Sequence, residues 1–254
     1  MLAGRAGLRP ILAPAITLVA LLLLWEAADR VFHFNVILLP SPSEIAVAAY
    51  ENFGRLLKET GITMFESVMG FLLGSGAAFL LAIVFVHSRL TQEAVYPYAV
   101  ALKSTPLIAI APLLVLWFGN GVLSKIVMSA LVAFFPVLVN AVNGLTAVDP
   151  EALDLMKSLS ASRFQVLLKI RIPNAAGYIF AALKIASSLA VVGAVIGEFT
   201  GASVGVGHLI NTSSYYLDIP LMFAAIGMIS LGGILFFATT ALVERRVVFW
   251  SATV

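Results

Sequence analysis

Apolar runs about as long as a bilayer is thick recur through this chain, and that recurrence leaves it very few folds. A helix needs roughly 20 residues to cross about 30 Å of hydrocarbon. In that medium only structures that satisfy their own backbone N–H and C=O groups can span. The runs fall at about 11–28, 62–87, 94–118, 124–146, 177–199 and 220–243. Of 254 residues, 61% are hydrophobic and 11% charged, far from the 45–50% apolar and about 25% charged of soluble domains. The expected fold is an all-α membrane protein, one domain over 1–254, with about six transmembrane helices. With no cysteine in the chain, disulfides, thiolate catalysis and cysteine metal sites are excluded. His33, His87 and His208 are scattered near span ends and form no HExxH, which argues against a metal or acid–base site.

The runs differ in character. ILAPAITLVALLLLWEAA follows Arg5 and Arg9; it is too long for a signal-peptide core and lacks a cleavage pattern, so a retained helix is expected. Pro40 and Pro42 make an extended or turning segment. Ser43 is then placed as the cap of an interfacial amphipathic helix over 44–60. The second span carries Gly70, Gly74, Ser75, Gly76, Ala77 and Ala78, a small-residue face that lets helices approach closely in lipid. The third holds Pro97, Pro106 and Pro112 and must be kinked or broken, since each proline removes a helix hydrogen bond. The fourth contains Pro136. Between the fifth and sixth, the glycine-rich 200–218 reads as a loop or a short re-entrant piece.

Six spans put both termini on one side. That side receives Arg5, Arg9, Arg89, Lys157, Arg163, Lys169, Arg171, Arg245 and Arg246; the other receives Arg30, Arg55, Lys58 and Lys125. The positive-inside rule therefore places the termini, and the 147–176 segment with them, in the cytoplasm.

That segment, DPEALDLMKSLSASRFQVLLKIRIPNA, is the one long charged insert between spans. Asp149 can accept from the free N–H groups of a first turn and Pro150 suits the first helical position; Glu151 adds charge of the right sign for the helix dipole. Ala152, Leu155, Met156 and Leu159 follow i, i+3, i+4, i+7 spacing and share one face. Asp154, Lys157 and Ser158 fall elsewhere. Ser160, Ala161 and Ser162 break the pattern, and Ser162 with Gln165 fits a capping box that starts a second helix. Phe164, Leu167 and Leu168 give that helix an apolar face, and Ile172-Pro173 ends or bends it. The apolar stripe fits packing on the chain's own spans or docking of another protein by helix-in-groove recognition.

EALDLMKSLSASRFQVLLKIRIPNA resembles the EAA motif of permease subunits of bacterial ABC importers. Glu151-Ala152 matches its start and Ile172-Pro173 its end. Leu153 replaces its second Ala, and Ser160 stands where the motif has a turn-forming Gly. LLPSPSEI (38–45), KSTPLIAIAPLLVLWFG (103–119), SKIVMSALVAFFPVLVNAVNGL (124–145) and YIFAALKIASSLAVVGAVIGEFTGASVGVGHLI (178–210) extend the resemblance to the sulfonate, taurine and nitrate branch. The resemblance implies a subunit of the cytoplasmic (inner) membrane that forms the solute pathway of an ATP-driven importer. It implies two cytoplasmic ATPase subunits carrying the ATP and magnesium, a second permease copy, an extracytoplasmic solute-binding protein and surrounding lipid as partners. No cofactor on this chain and no nucleic acid are expected. It assigns ATPase coupling to Asp149, Pro150, Glu151, Ala152, Leu155, Met156, Ser158, Leu159, Ser160, Ala161, Phe164 and Pro173. The solute would be a small anion such as a sulfonate, taurine or nitrate, with riboflavin or a thiamine pyrimidine precursor as the alternative. The residues agree independently that energy comes from elsewhere: the chain has no G-x-x-x-x-G-K-[ST] phosphate loop and no Gly-Lys pair at all. An ion-coupled secondary transporter is a weaker fit, because carboxylates deep in the spans are nearly absent.

Polar residues within spans mark candidate pathway positions: Lys103, Ser104 and Thr105 before the Pro106 break, Asn140, Ser187, Ser188 and Glu198. Each also has a plain structural reading. Lys184 can snorkel or form an ion pair. Asn140, Asn143, Ser187 and Ser188 can hydrogen-bond neighbouring helices. Glu198 reads as wet at the outer end of its span, and Glu66 as facing the outer interface.

Overall fold

The computed structural model describes residues 9–103 and 105–250, with side chains described except at 9–11, 99, 100, 102 and 103. Among the described residues the chain is entirely helical. The helices are α1 (Arg9–Phe32), α2 (Pro42–Glu51), α3 (Phe53–His87), α4 (Arg89–Lys103), α5 (Leu107–Phe118), α6 (Val122–Thr146), α7 (Pro150–Ser158), α8 (Arg163–Val166), α9 (Ile172–Gly201), α10 (Val206–Tyr215) and α11 (Ile219–Val247). A π-helical turn, Leu167–Arg171, joins α8 to α9.

Among the described residues, five segments are long and apolar enough to cross a membrane: Leu12–Phe32, Phe53–His87, Val122–Thr146, Arg163–Gly201 and Ile219–Val247. The expected third span is divided into α4 and α5, with Thr105 and Pro106 outside both helices. Proline explains the division: Pro106 disfavours helical backbone at Thr105 and has no N–H to donate. Pro97 and Pro112, by contrast, sit inside α4 and α5.

Three other boundaries differ from expectation. The interfacial helix over 44–60 does not exist as a unit: the chain turns at Asn52, and 53–61 is the first part of the 35-residue α3. Ser43 is not the cap. Ser41 is, in a capping box with Glu44, whose carboxylate accepts from the Ser41 N–H at 2.8 Å. Pro42 then occupies the first helical position. The span expected at 177–199 runs without interruption from Arg163 to Gly201, so Ile172-Pro173 does not end the preceding helix. The wider π turn lies just where a proline ring would otherwise strike the carbonyl four residues back.

α3, α6 and α9 form the centre, and small residues set their spacing. Ala78, Ala82, Ala133, Ala141, Ala175, Ala182, Ala186 and Ala190 are fully buried between them. A Cβ at Gly74 would fall on the backbone carbonyl of Ala130, and one at Gly193 would stand 2.8 Å from the Cα of Ser129. Ser129 Oγ donates to the Ala190 carbonyl at 2.9 Å, tying α6 to α9. The small face of α3 is therefore consumed at Gly70 and Gly74 by α6 of the same chain.

The two ends of the bundle are distinguishable. α3 ends beside the α7–α8 insert and α6 starts at the opposite end, so α4 and α5 together traverse the bundle. α1 meets α2 and the start of α11 at that opposite end, through Trp25 against Phe223 (centroids 6.1 Å) and Glu26 accepting from Ser43 N–H (3.1 Å) and Oγ (3.0 Å). The beginning of α1 and the end of α11 thus both point to the insert end.

Candidate functional site

The insert is built as its residues dictate. Asp149 caps α7, its carboxylate accepting from Glu151 N–H at 2.9 Å, a contact worth about 1 kcal/mol at a helix start. α7 stops after Leu159 because Ser160 takes a left-handed conformation, φ 55°. Ser160 N–H then donates to the Lys157 carbonyl (2.9 Å) and Ala161 N–H to the Met156 carbonyl (3.0 Å). That double pattern is a Schellman stop, usually completed by glycine; here a serine adopts the glycine-type turn. Ser162 and Gln165 form the expected capping box, with Ser162 N–H donating to Gln165 Oε1 at 2.8 Å.

The roots of the insert are fastened while its body stands off. Arg171 Nη1 donates to the Leu145 carbonyl at 2.6 Å, and Asn174 Nδ2 to the carbonyls of Gly144 (3.2 Å) and Ala147 (3.1 Å). These donors satisfy the free carbonyls at the end of α6, and the guanidinium also suits the negative end of its dipole. α7 itself has no substantial packing against another helix among the described residues. Leu155 is 60% exposed, Leu159 68% and Phe164 65%. Ala152, Met156 and Ala161 are partly covered, Pro173 half-buried, and Pro150, Glu151, Ser158 and Ser160 exposed.

The candidate pathway residues separate. Ser104 and the Lys103 side chain lie outside the described residues. Thr105 is exposed at the break between α4 and α5. Asn140 donates back to the Pro136 carbonyl of its own helix at 2.8 Å. Ser187 is buried and donates to the Lys184 carbonyl at 2.8 Å; it faces the core and reaches neither a neighbouring helix nor the surface. Ser188 lies on an exposed stripe of α9 with Ile185 and Val192. Lys184 forms an ion pair with Glu244 of α11, Nζ to Oε2 2.7 Å.

Glu198 overturns its reading as a wet residue: it is 2% exposed. Around it lies a polar cluster that sequence reading missed, in which Glu66 (2%), Lys125 (1%) and Thr63 (0%) are equally buried. Thr63 Oγ1 donates to Glu198 Oε1 at 2.6 Å. Glu66 is buried there with its Oε2 lacking a hydrogen-bond partner among the described residues. Lys125 Nζ donates to the carbonyls of Asn120 (2.7 Å) and Gly201 (3.2 Å). A signal did exist: Glu59, Thr63 and Glu66 follow i, i+4, i+7 and so share one face of α3, but the charges suggested an interface with water.

Residues 70–249 match the model of the binding-protein-dependent transport system inner membrane component. The chain belongs to this family, the permease subunits of ABC transporters. It is similar to the riboflavin transport system permease protein RibX of Chloroflexus aurantiacus, at 32% identity over 96% of this chain and 92% of that one. It is also similar to the putative aliphatic sulfonates transport permease protein SsuC of Bacillus subtilis, at 29% identity over 96% of this chain and 87% of that one. Among solved structures, an inward-facing MetNI methionine ABC transporter shares the fold, with TM-score 0.63 at 17% identity, covering 77% of this chain and 95% of that one. The protein is the membrane-spanning subunit of an ABC importer, and its family works with an ATPase and a solute-binding protein.

Proposed function

We propose that α7 is the handle by which a partner ATPase drives this permease. The observation that carries the reading is the exposure of Leu155, Leu159 and Phe164 on an insert whose roots are fastened to α6. Apolar side chains held out on a rigid stem fit burial in a partner's groove. The residues assigned are those of the motif: Asp149, Pro150 and Glu151 at the start, Ala152, Leu155, Met156, Ser158 and Leu159 along α7, Ser160 and Ala161 at the turn, then Phe164 and Pro173. The excess of Lys and Arg at the insert end supports a cytoplasmic insert with both termini on the same side. Two ATPase subunits serve two permease copies as a homodimer, ATP and magnesium stay on the ATPase, and this chain has no catalytic activity of its own.

Nucleotide then acts by differential affinity: the ATPase dimer must bind the insert differently in two arrangements of the bundle. The test is cross-linking. A cysteine at Leu155 should trap the ATPase in native membranes, and a cysteine at Leu57 on the exposed opposite end should not. Equal trapping at both positions would sink the assignment.

For the solute, a planar heterocycle fits better than the small anion suggested by sequence. Two lysines of the bundle are engaged internally, Lys184 with Glu244 and Lys125 with backbone carbonyls, so neither is free to neutralise an anion. The exposed stripe of α9 carries Tyr178, Ile185, Val192 and Phe199 with the hydroxyl of Ser188. The relative named for riboflavin is consistent with this reading; the relative named for aliphatic sulfonates supports the anion as second reading. Mass spectrometry of the ligand carried by the partner binding protein decides between them.

A further inference from the structure

α10 begins against three side chains from two other helices. Gly205 N–H donates to Glu59 Oε2 at 2.6 Å, Val206 N–H to Thr63 Oγ1 at 2.8 Å, and Gly207 N–H to Glu198 Oε2. Thr63 passes its own hydrogen to the other Glu198 oxygen. The first N–H groups of a helix have no partner within it, and at a wet surface water would serve them. Here they are served by the half-buried Glu59 and by the Glu198 carboxylate and Thr63 hydroxyl in the protein interior, where placing a charge is costly unless it is paired. The backbone is shaped to allow the approach. Gly205 holds φ 98°, and a Cβ at Gly207 would stand 2.8 Å from the Cβ of Glu198. Five residues before the start of α10, Lys125 holds the last carbonyl of α9 at Gly201, so the 202–205 link is pinned at both ends.

Glu198 also stands near the end of the continuous helix Arg163–Gly201. At 1.5 Å per residue that rod is about 58 Å long, nearly twice the hydrocarbon thickness, and its other end is the insert.

We propose that Glu198 is a positioning residue for transport: it fastens α10 to the far end of the rod, so that displacement of the insert carries α10 and the facing end of α3 as one rigid body. Thr63 is the second member of the fastening. The inference rests on the docking of α7 proposed above.

The chain's lack of cysteine makes spin labelling direct. The full permease–ATPase complex is reconstituted in lipid, with one labelled copy diluted among unlabelled ones. One label pair, at Leu57 of α3 and Ser214 of α10, reads the fastening. A second, in a separate preparation with Lys157 of α7 labelled in both permease copies, reads the displacement of the insert. Distances are compared without nucleotide and with ATP trapped by vanadate. In the unmodified complex the insert pair should shift between states, while the α3–α10 pair keeps one narrow distance. In E198Q, where one acceptor oxygen is lost, and in T63V, which keeps the shape and removes the hydroxyl, the α3–α10 distribution should broaden or split in the trapped state. The insert pair should still respond. T63S should restore the narrow distance, which a loss of packing alone would not predict. An unaltered narrow α3–α10 distance in both E198Q and T63V overturns the proposal, as does a nucleotide-dependent shift of that pair in the unmodified complex. An insert pair that never shifts with nucleotide instead overturns the docking of α7.

Discussion

The two ends of the bundle treat their exceptional residues in opposite ways. At the far end, groups that belong in water are buried: Glu66, Lys125 and Glu198 are each at most 2% exposed, with backbone amides and carbonyls turned toward Glu198 and Lys125. At the insert end, groups that belong in a core are exposed on α7 and at the start of α8. A buried polar group that finds its partners inside the chain is an internal fastening. An exposed apolar cluster on a rigid stem is unfinished and points to a second molecule. One end therefore bonds within the chain, and the other holds out apolar side chains that the proposed docking would cover.

Perturbing each kind of contact sharpens that difference. The largest effect is expected where three helices share one tight centre. Gly74→Leu places side-chain atoms on the Ala130 backbone of α6, and overpacking at backbone contact should cost about 3 kcal/mol or more. Thermal melts in detergent should show the purified subunit losing its transition or failing to assemble; an unchanged melt would refute the α3–α6 contact. Next, the double change Leu155→Asp with Leu159→Asp should leave that melt intact and weaken ATPase binding by about a hundredfold, or roughly 2.7 kcal/mol, read by titration with labelled ATPase. If the melt collapses and binding survives, the apolar face packs inward after all.

The Lys184–Glu244 pair should be smaller in effect because both side chains keep partial exposure, 28% and 23%. Lys184→Met alone should cost about 1–2 kcal/mol by leaving Glu244 without its partner. The double change with Glu244→Leu should recover most of the loss in a double-mutant cycle. The smallest expected effect is a gain. Ser160→Gly removes the left-handed penalty at φ 55°, about 1 kcal/mol. It should raise hydrogen-exchange protection at Ala161 and leave the far end unchanged.

The insert was legible because its signals are local. A cap bonds within three residues, a stripe repeats every turn, and Asp149, Pro150, Ser162 and Gln165 act as their spacing implies. The cap at Ser41 was legible too, as Ser-x-x-Glu over 41–44, but the proline-rich context drew attention to Ser43. Boundaries failed where a local breaker was outvoted. Pro173 reads as an end, and the helix passes it through a π turn. The charges of 53–61 read as a separate interfacial helix, yet α3 carries them into the bundle. Glu198 and Lys125 were misread for a common reason: near a span end, burial by α10 and by the α5–α6 turn cannot be inferred from spacing.

Sequence by itself determined the solvent, the helical class, the breaks at proline and the capped insert, since each follows from composition or from contacts within a few residues. Only the tertiary structure decided which glycines meet which helix, that Ser160 takes a glycine conformation, and that Glu198 closes on Thr63 and Gly207. Those contacts join residues as many as 135 positions apart, and no pattern within one helix encodes what lies across from it.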